Sequence, residues 1–347
     1  MNIKIRNSSI NNMLQLCKKL KNGTVTRGEV EMVLDHEDYN FEFDRYNGRI
    51  SKAEFIEYFL NIPNIIENEI KNVGLKTHHK YYKALLDNID FYLEKSKEIM
   101  SMKKEIFEEK VKIALKGLPE DIDLMELNFI FTIGIGQSFG YAHKNGMHFD
   151  LLQLVDKNLE QFYSTIAHEV HHVGLNKLDE ELNFDSMNLE ELFYICFSGE
   201  GLAVKYCNNA EGILSKSIYN TTKNIGLDTF TWEYLNMDFY NTMDKFKKTI
   251  DDIRNNRIKD RDDLNNLLIE YWMNPYTEGQ EKGDVPNLKH FRLYSLGNEI
   301  WGIIHDCFGK EVVFDTLRNP SSFPEVFNKA LDKIGHGEFK IKERIMD

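Results

Sequence analysis

The segment 168–172 contains the residues of this sequence that are best arranged for chemistry. It reads His-Glu-Val-His-His, so that His168 and His172 are four positions apart and Glu169 follows the first of them. Residues four apart lie on one face of an α-helix, where two neutral imidazoles can bind one Zn²⁺ together. Glu169 would lie beside them and take a proton from a water whose pKa the metal lowers. The spacing therefore predicts a zinc site with hydrolytic chemistry.

The residues around the motif predict the helix that carries it, over about 157–174. One face would be apolar and pack against the protein, and its positions are Leu159, Phe162, Ile166, Val170 and Val173. The other face would line a cleft, and its positions are Gln161, Thr165, His168 and His172. Gly174 predicts the end of this helix. His171 would point away from the metal and pack against or support a neighbouring residue.

The third metal ligand decides the class of the site. A metzincin would need Gly at position 175 and His or Asp at position 178. This chain has Leu175 and Leu178 at these positions, which excludes that class. The alternative is a glutamate on a following helix, and the segment 189–207 supplies several candidates.

Among these candidates we favour Glu200 over Glu190 and Glu191. If 189–207 is one helix, Glu200 lies at the centre of its apolar face, whereas the other two glutamates lie off that face and are expected to be solvated. A buried carboxylate is costly unless a cation such as Zn²⁺ compensates it. Glu200 is therefore expected to be buried and to complete the metal site.

Two glycines, Gly199 and Gly201, flank Glu200. Glycine destabilises a helix by about 1 kcal/mol relative to alanine, so its presence here is expected if the backbone approaches the motif helix closely. In the alternative, the helix ends near Ser198 and the glycines form a turn that leaves Glu200 exposed.

The elements before the motif helix predict a small sheet. The segment 127–136 is β-branched and aromatic, which favours a strand. The segments 138–144 and 147–151 flank Asn145-Gly146, a pair typical of a two-residue hairpin turn. Apolar residues recur at helical spacing in 9–21, 52–72 and 77–116, and the pattern is helical again after 211.

These patterns predict an α+β protein that is predominantly helical, with a small sheet before the active-site helix. We expect three regions. A helical N-terminal region would cover residues 1–118, a core with the motif helix would cover 119–210, and a helical C-terminal region that completes the cleft would cover 211–347.

The motif together with Glu200-Gly201-Leu202-Ala203 resembles the gluzincin branch of the zinc metallopeptidases. The chain departs from the aminopeptidases of that branch, because 27 residues separate His172 from Glu200 and a Gly-x-Met-Glu-Asn segment is missing. It is more similar to poorly characterised bacterial families of zinc-dependent peptidases. The resemblance implies a zincin-like twisted sheet whose edge strand pairs with an extended peptide substrate. Tyr141 and His143 of the hairpin would then either border the cleft or be ordinary strand aromatics.

Composition limits the partners and the compartment. The net charge is −13, so the chain lacks the positive surface that nucleic acid requires. No run of 18 apolar residues is present to span a membrane. The four cysteines contain no C-x-x-C pair and are expected to be reduced thiols of a cytoplasmic protein. The oligomeric state is not predicted.

The leading hypothesis is a zinc metallopeptidase acting on peptides or proteins, with Zn²⁺ on His168, His172 and Glu200 and with Glu169 as general base and then acid. Tyr294 is a candidate oxyanion donor, because a zincin usually recruits a Tyr or His from its C-terminal half, although its position also fits a packing stripe. One alternative is a helical binding protein with a structural or vestigial zinc site. Another is a zincin-fold hydrolase of a non-peptide amide or ester. The intact Glu169 favours catalysis, because a structural site needs no base.

Overall fold

The computed structural model describes residues 1–136, 139–155, 159–208, 210–219, 229–273 and 292–342. Its contacts divide the chain into two compact units. The first unit contains Met1–Glu109 and Leu124–Glu169, and the second contains Lys110–Asp123 and the described residues from Val170 onward. Most of the chain is helical and one small mixed sheet is present, which confirms the predicted α+β class.

Short amphipathic helices make up most of the first unit. They are α1 (Ser9–Lys21), α2 (Arg27–Leu34), α3 (Glu37–Arg45), α4 (Lys52–Asn61), α5 (Val73–Asp87), α6 (Ile89–Met100), the first part of α7 (Lys104–Lys116), and α8 (Leu151–Leu154). The helix predicted over 52–72 ends at Asn61, because Pro63 has no N–H to continue the hydrogen-bond ladder. The pattern over 77–116 is divided at Asn88, whose φ of −137° is not helical.

The sheet of the first unit has four strands, β1 (Asn2–Arg6), β2 (Glu126–Thr132), β3 (Gly140–His143) and β4 (Gly146–Asp150), in the order β1-β2-β4-β3. β1, β2 and β4 are parallel, and β3 is antiparallel to β4. β1 was not predicted, because its alternation of side chains extends over only five residues. The sheet precedes the motif helix in the chain, as predicted.

β2 is shorter than the predicted strand 127–136, because side chains bind the backbone that follows Thr132. Tyr39 donates its hydroxyl proton to the carbonyl of Ile133 at 3.1 Å, and the N–H of Ile135 donates to a carboxylate oxygen of Glu42 at 3.0 Å. These backbone groups are satisfied without a strand partner. Residues 137 and 138, at the start of the predicted hairpin, lie outside the described residues.

The hairpin turn lies one residue earlier than predicted. His143 pairs with Gly146, so the turn residues are Lys144 and Asn145 rather than Asn145 and Gly146. Lys144 has a φ of +52°. A Cβ on Gly146 would lie 2.9 Å from the ring of Phe41, so this glycine is required by packing and not by the turn.

The second unit is also helical. It contains the end of α7, the C-terminal part of α9 (Leu159–Asp179), α10 (Leu189–Cys196), α11 (Ser198–Cys207), α12 (Thr229–Met237), α13 (Phe239–Arg254), α14 (Arg261–Leu267), a π-helix (Leu268–Trp272), α15 (Arg292–Phe308), α16 (Lys310–Arg318) and α17 (Phe323–Ile334). α15 is its central helix, with every residue from Ser295 to Ile304 buried. It packs against α11, α16 and α17.

None of the helices in the described part of the chain is both long enough and apolar enough to cross a membrane.

Candidate metal centre

α9 carries the motif and has the predicted packing face, but it is longer than predicted. Phe162 and Val170 are fully buried on that face. The side chains of Leu159 and Gln161 lie outside the described residues.

The helix does not end at Gly174 and continues to Asp179. A Cβ on Gly174 would lie 2.1 Å from the Leu118 side chain. This glycine therefore provides space for Leu118 and is not a stop signal.

The structure brings His168, His172 and Glu200 together. Each offers one ligand atom, and these atoms all lie within 4.8 Å of one another. Nε2 of His172 and Oε2 of Glu200 are 3.5 Å apart. His168 is 8% exposed, while the side chains of His172 and Glu200 are 18% and 30% exposed. No other group of three such residues is found in the described ranges.

This arrangement fits a zinc ion. Nitrogen and oxygen ligands lie about 2.0–2.2 Å from zinc, so two ligands of a tetrahedral site are roughly 3.4 Å apart. The separation of 3.5 Å between His172 and Glu200 already matches this value. Two imidazoles and one carboxylate form the donor set of a catalytic zinc site, in which the fourth position stays open.

Glu200 is less buried than predicted, because 189–207 is not one helix. The chain is interrupted at Phe197, which caps both α10 and α11. Glu200 therefore does not lie at the centre of one continuous apolar face, and its carboxylate is half-exposed beside His172. The alternative is right that a helix ends near Ser198, since α10 ends at Cys196, but it is wrong that the glycines form a turn, because they and Glu200 lie in the first turn of α11.

The prediction that Glu190 is solvated is wrong. Its carboxylate is buried and accepts two hydrogen bonds from the guanidinium of Arg254, at 2.5 and 2.9 Å. The hydroxyl of Tyr194 also donates to it. This hydrogen bonding raises the pKa of Arg254. Glu191 caps α10 instead, by accepting the backbone N–H of Asn188 at 2.9 Å.

The two glycines beside Glu200 have different surroundings. A Cβ on Gly201 would lie 2.3 Å from the carbonyl carbon of Gly297 in α15. The close approach is thus to α15, and the expectation that it is to the motif helix is wrong. A Cβ on Gly199 would have nothing within 4 Å.

His171 packs against neighbouring residues, as predicted. Its Nε2 lies 3.1 Å from the carbonyl oxygen of Gly117 and donates to it. Its ring stacks on Tyr206, with the ring centres 5.8 Å apart. His171 therefore contributes to packing and is not part of the candidate ligand group.

The remaining predicted residues lie as follows. Glu169 is half-buried on α9, next to His168. Tyr294 is partly buried and packs against the apolar cluster of Val204, Ala210, Trp232 and Leu235. Tyr141 is buried against His148, with ring centres 4.8 Å apart, and His143 contacts Asp44 at 2.7 Å. Both side chains therefore have partners within the first unit.

Sequence reasoning missed Asp179, in the last turn of α9. Burial raises its pKa to about 6, and the nearby His172 opposes that shift. Asp179 follows His172 by seven positions, two helical turns along the same face. That spacing was a usable signal, but the predicted end of the helix at Gly174 concealed it.

One of three comparisons with known proteins found a match, and it agrees with this chemistry. No curated protein and no solved structure matches the chain. The family described as "Putative zinc dependent peptidase (DUF5700)" matches residues 30–335, which is most of the chain and includes all three candidate ligands. The chain therefore belongs to this family.

Proposed function

We propose that this protein hydrolyses peptide bonds with one zinc ion held by His168, His172 and Glu200. The observation that carries the proposal is that these three donor atoms lie within 4.8 Å of one another, while Glu169 lies on the same helix as the two histidines. A hydrolase needs a general base such as the glutamate next to the first ligand, whereas a structural zinc site does not need one.

Each residue has a separate task in this reaction. Zinc, when bound, polarises a carbonyl oxygen and lowers the pKa of a water molecule. Glu169 accepts a proton from the attacking water at a carboxylate oxygen and then donates it to the nitrogen of the leaving amine. Tyr294 donates a hydrogen bond to the substrate oxygen as negative charge develops there.

An extended peptide is the proposed substrate. β3 is the last strand in the order of the described sheet, so its outer backbone edge has no strand partner there. An extended segment can add to such an edge through main-chain hydrogen bonds. The resemblance to zincins implies the same mode of binding.

A cytoplasmic location is also proposed. All four cysteines are free thiols, and Cys17 and Cys207 are fully buried. Burial raises the pKa of both thiols, which makes them unreactive. Free buried thiols are typical of proteins in a reducing compartment.

The substitution Glu169→Gln tests the function, because it removes the base while keeping the side-chain shape. The variant should bind zinc as the wild type does and lose roughly 10²–10⁴-fold of its turnover of a mixed peptide library. A chelator should abolish wild-type cleavage, and Tyr294→Phe should lower turnover without changing zinc content. Near wild-type activity of Glu169→Gln would show that the mechanism is wrong. Zinc binding without cleavage of any peptide would favour a structural site or a different amide or ester substrate.

A further inference from the structure

α11 and α15 touch at their backbones, at the residue that follows the third candidate ligand. A Cβ on Gly201 would lie 2.3 Å from the carbonyl carbon and 2.4 Å from the Cα of Gly297. A Cβ on Gly297 would lie 2.4 Å from the carbonyl oxygen of Phe197. Because these neighbours are backbone atoms, no rotation of a side chain can make room. Only glycine fits at either position.

Further contacts fix α11 and the segment after it to α15. A Cβ on Gly302 would meet the side chains of Ser215 and Lys205, at 2.2 and 3.0 Å. The buried carboxylate of Glu299 accepts the backbone N–H groups of Leu214 and Ser215, at 3.0 and 2.9 Å. α11 therefore cannot shift along α15 without breaking these buried contacts.

We propose that the contact between Gly201 and Gly297 is a positioning contact that sets where the Glu200 carboxylate lies. This inference rests on the proposed zinc site. An ordinary Cβ contact is at least about 3.4 Å, so a methyl group at 201 would separate the two backbones by about 1 Å. Metal ligand distances are held within about 0.2 Å. Such a displacement takes Glu200 out of the range in which it binds the same ion as His168 and His172.

Gly199 provides a matched control. It flanks Glu200 on the other side, in the same turn of α11, and a Cβ there would have nothing within 4 Å. Gly199→Ala and Gly201→Ala therefore make the same chemical change at equal sequence distance from the ligand. Only Gly201→Ala disturbs the contact with α15.

The test measures zinc affinity by competition with a chelator, and the absorption spectrum of the Co²⁺-loaded protein as a report on coordination. Gly201→Ala and Gly297→Ala should each weaken zinc binding by about 10–100-fold, the range found when a group that orients a ligand is removed. Both should also alter the cobalt spectrum. Gly199→Ala should keep the wild-type affinity and spectrum, with an unchanged or slightly higher melting temperature.

Glu200→Asp keeps the test decisive if the glycine variants fail to fold, because it leaves the helix contact intact. If the backbone is fixed by Gly297, α11 cannot advance to make up for the shorter side chain, and zinc binding should fall at least tenfold. The inference would be overturned if Gly201→Ala folded and kept wild-type zinc affinity, or if Gly199→Ala and Gly201→Ala lost equal affinity. It would also be overturned if Glu200→Asp kept wild-type affinity. Failure of the proposed zinc site itself is distinguishable, since Glu200→Ala would then leave zinc binding unchanged.

Discussion

α10 and α11 follow each other directly in the chain, yet each carries a glutamate with a different environment. Glu190 on α10 is buried and accepts two hydrogen bonds from Arg254 and one from Tyr194. Glu200 on α11 is half-exposed and lies 3.5 Å from His172. The guanidinium of Arg254 compensates the charge of the first carboxylate, whereas the second faces the imidazole of His172, another of the three candidate ligands.

The difference shows how burial and partner together separate structural from functional carboxylates. A buried carboxylate paired with a guanidinium contributes to a specific packing arrangement and has no capacity left for a metal. A carboxylate beside two histidines adds a negative charge to a donor set that attracts a divalent cation. Expected burial was the reason for selecting Glu200 from the sequence, yet the more buried of the two carboxylates is that of Glu190.

The largest expected effect separates two adjacent histidines. His172→Ala should reduce zinc affinity by more than the roughly 10–100-fold that loss of a supporting group causes, because it removes a ligand itself. His171→Ala should lower the melting temperature, through loss of its contacts with Gly117 and Tyr206, and keep zinc affinity within a few-fold of wild type. Equal zinc loss in the two variants would contradict the assigned ligand set. Isothermal titration with zinc measures the affinity of each variant, and thermal denaturation measures its melting temperature.

A second variant tests the structural role of Glu190. Arg254→Met should lower the free energy of unfolding by about 3–5 kcal/mol, because it leaves the charge of Glu190 buried without its partner. Zinc affinity should stay at the wild-type value, since Arg254 and Glu190 are no part of the ligand group. Urea denaturation and zinc titration of the same sample give both quantities. Loss of zinc binding at full stability would mean that Glu190 belongs to the metal site.

A smaller effect concerns Asp179, a third carboxylate, whose pKa burial raises from 3.8 to about 6. Between these pH values the folded protein holds a proton that the unfolded chain has released, so this group stabilises the folded state at low pH. Its contribution is lost as the pH rises from about 4 to 6. In zinc-free protein, Asp179→Asn should remove this part of the pH dependence. Urea denaturation at several pH values measures it, and identical pH profiles for both proteins would contradict the shift.

The motif helix, the fold class and the bounds of α1 could be predicted because their signals are local. Paired histidines at helical spacing and a continuous apolar stripe require no knowledge of distant residues. The same local reasoning identified His168 and His172, whereas Glu200, which the structure brings beside them, was selected from a continuous helix over 189–207 that the structure does not contain.

The predictions that failed concern residues whose environment is set by residues distant in the sequence. Glu190 pairs with an arginine 64 positions away, and Gly174 and Gly201 accommodate Leu118 and Gly297. From sequence alone, a glycine that leaves space for a neighbouring side chain or backbone cannot be distinguished from a glycine that ends a helix. The break at Phe197, which Gly199 and Gly201 indicated only as an alternative, divides the helical face that we derived for 189–207.

We assign the third metal ligand to Glu200, and to neither Glu190 nor Glu191. The most direct test is zinc titration of Glu200→Ala beside Glu190→Ala and Glu191→Ala, each checked for folding by circular dichroism. Glu200→Ala should lose tight zinc binding, while the other two variants should bind one zinc per chain with wild-type affinity. Tight binding by Glu200→Ala, or its loss in a folded Glu190→Ala or Glu191→Ala protein, would contradict the account.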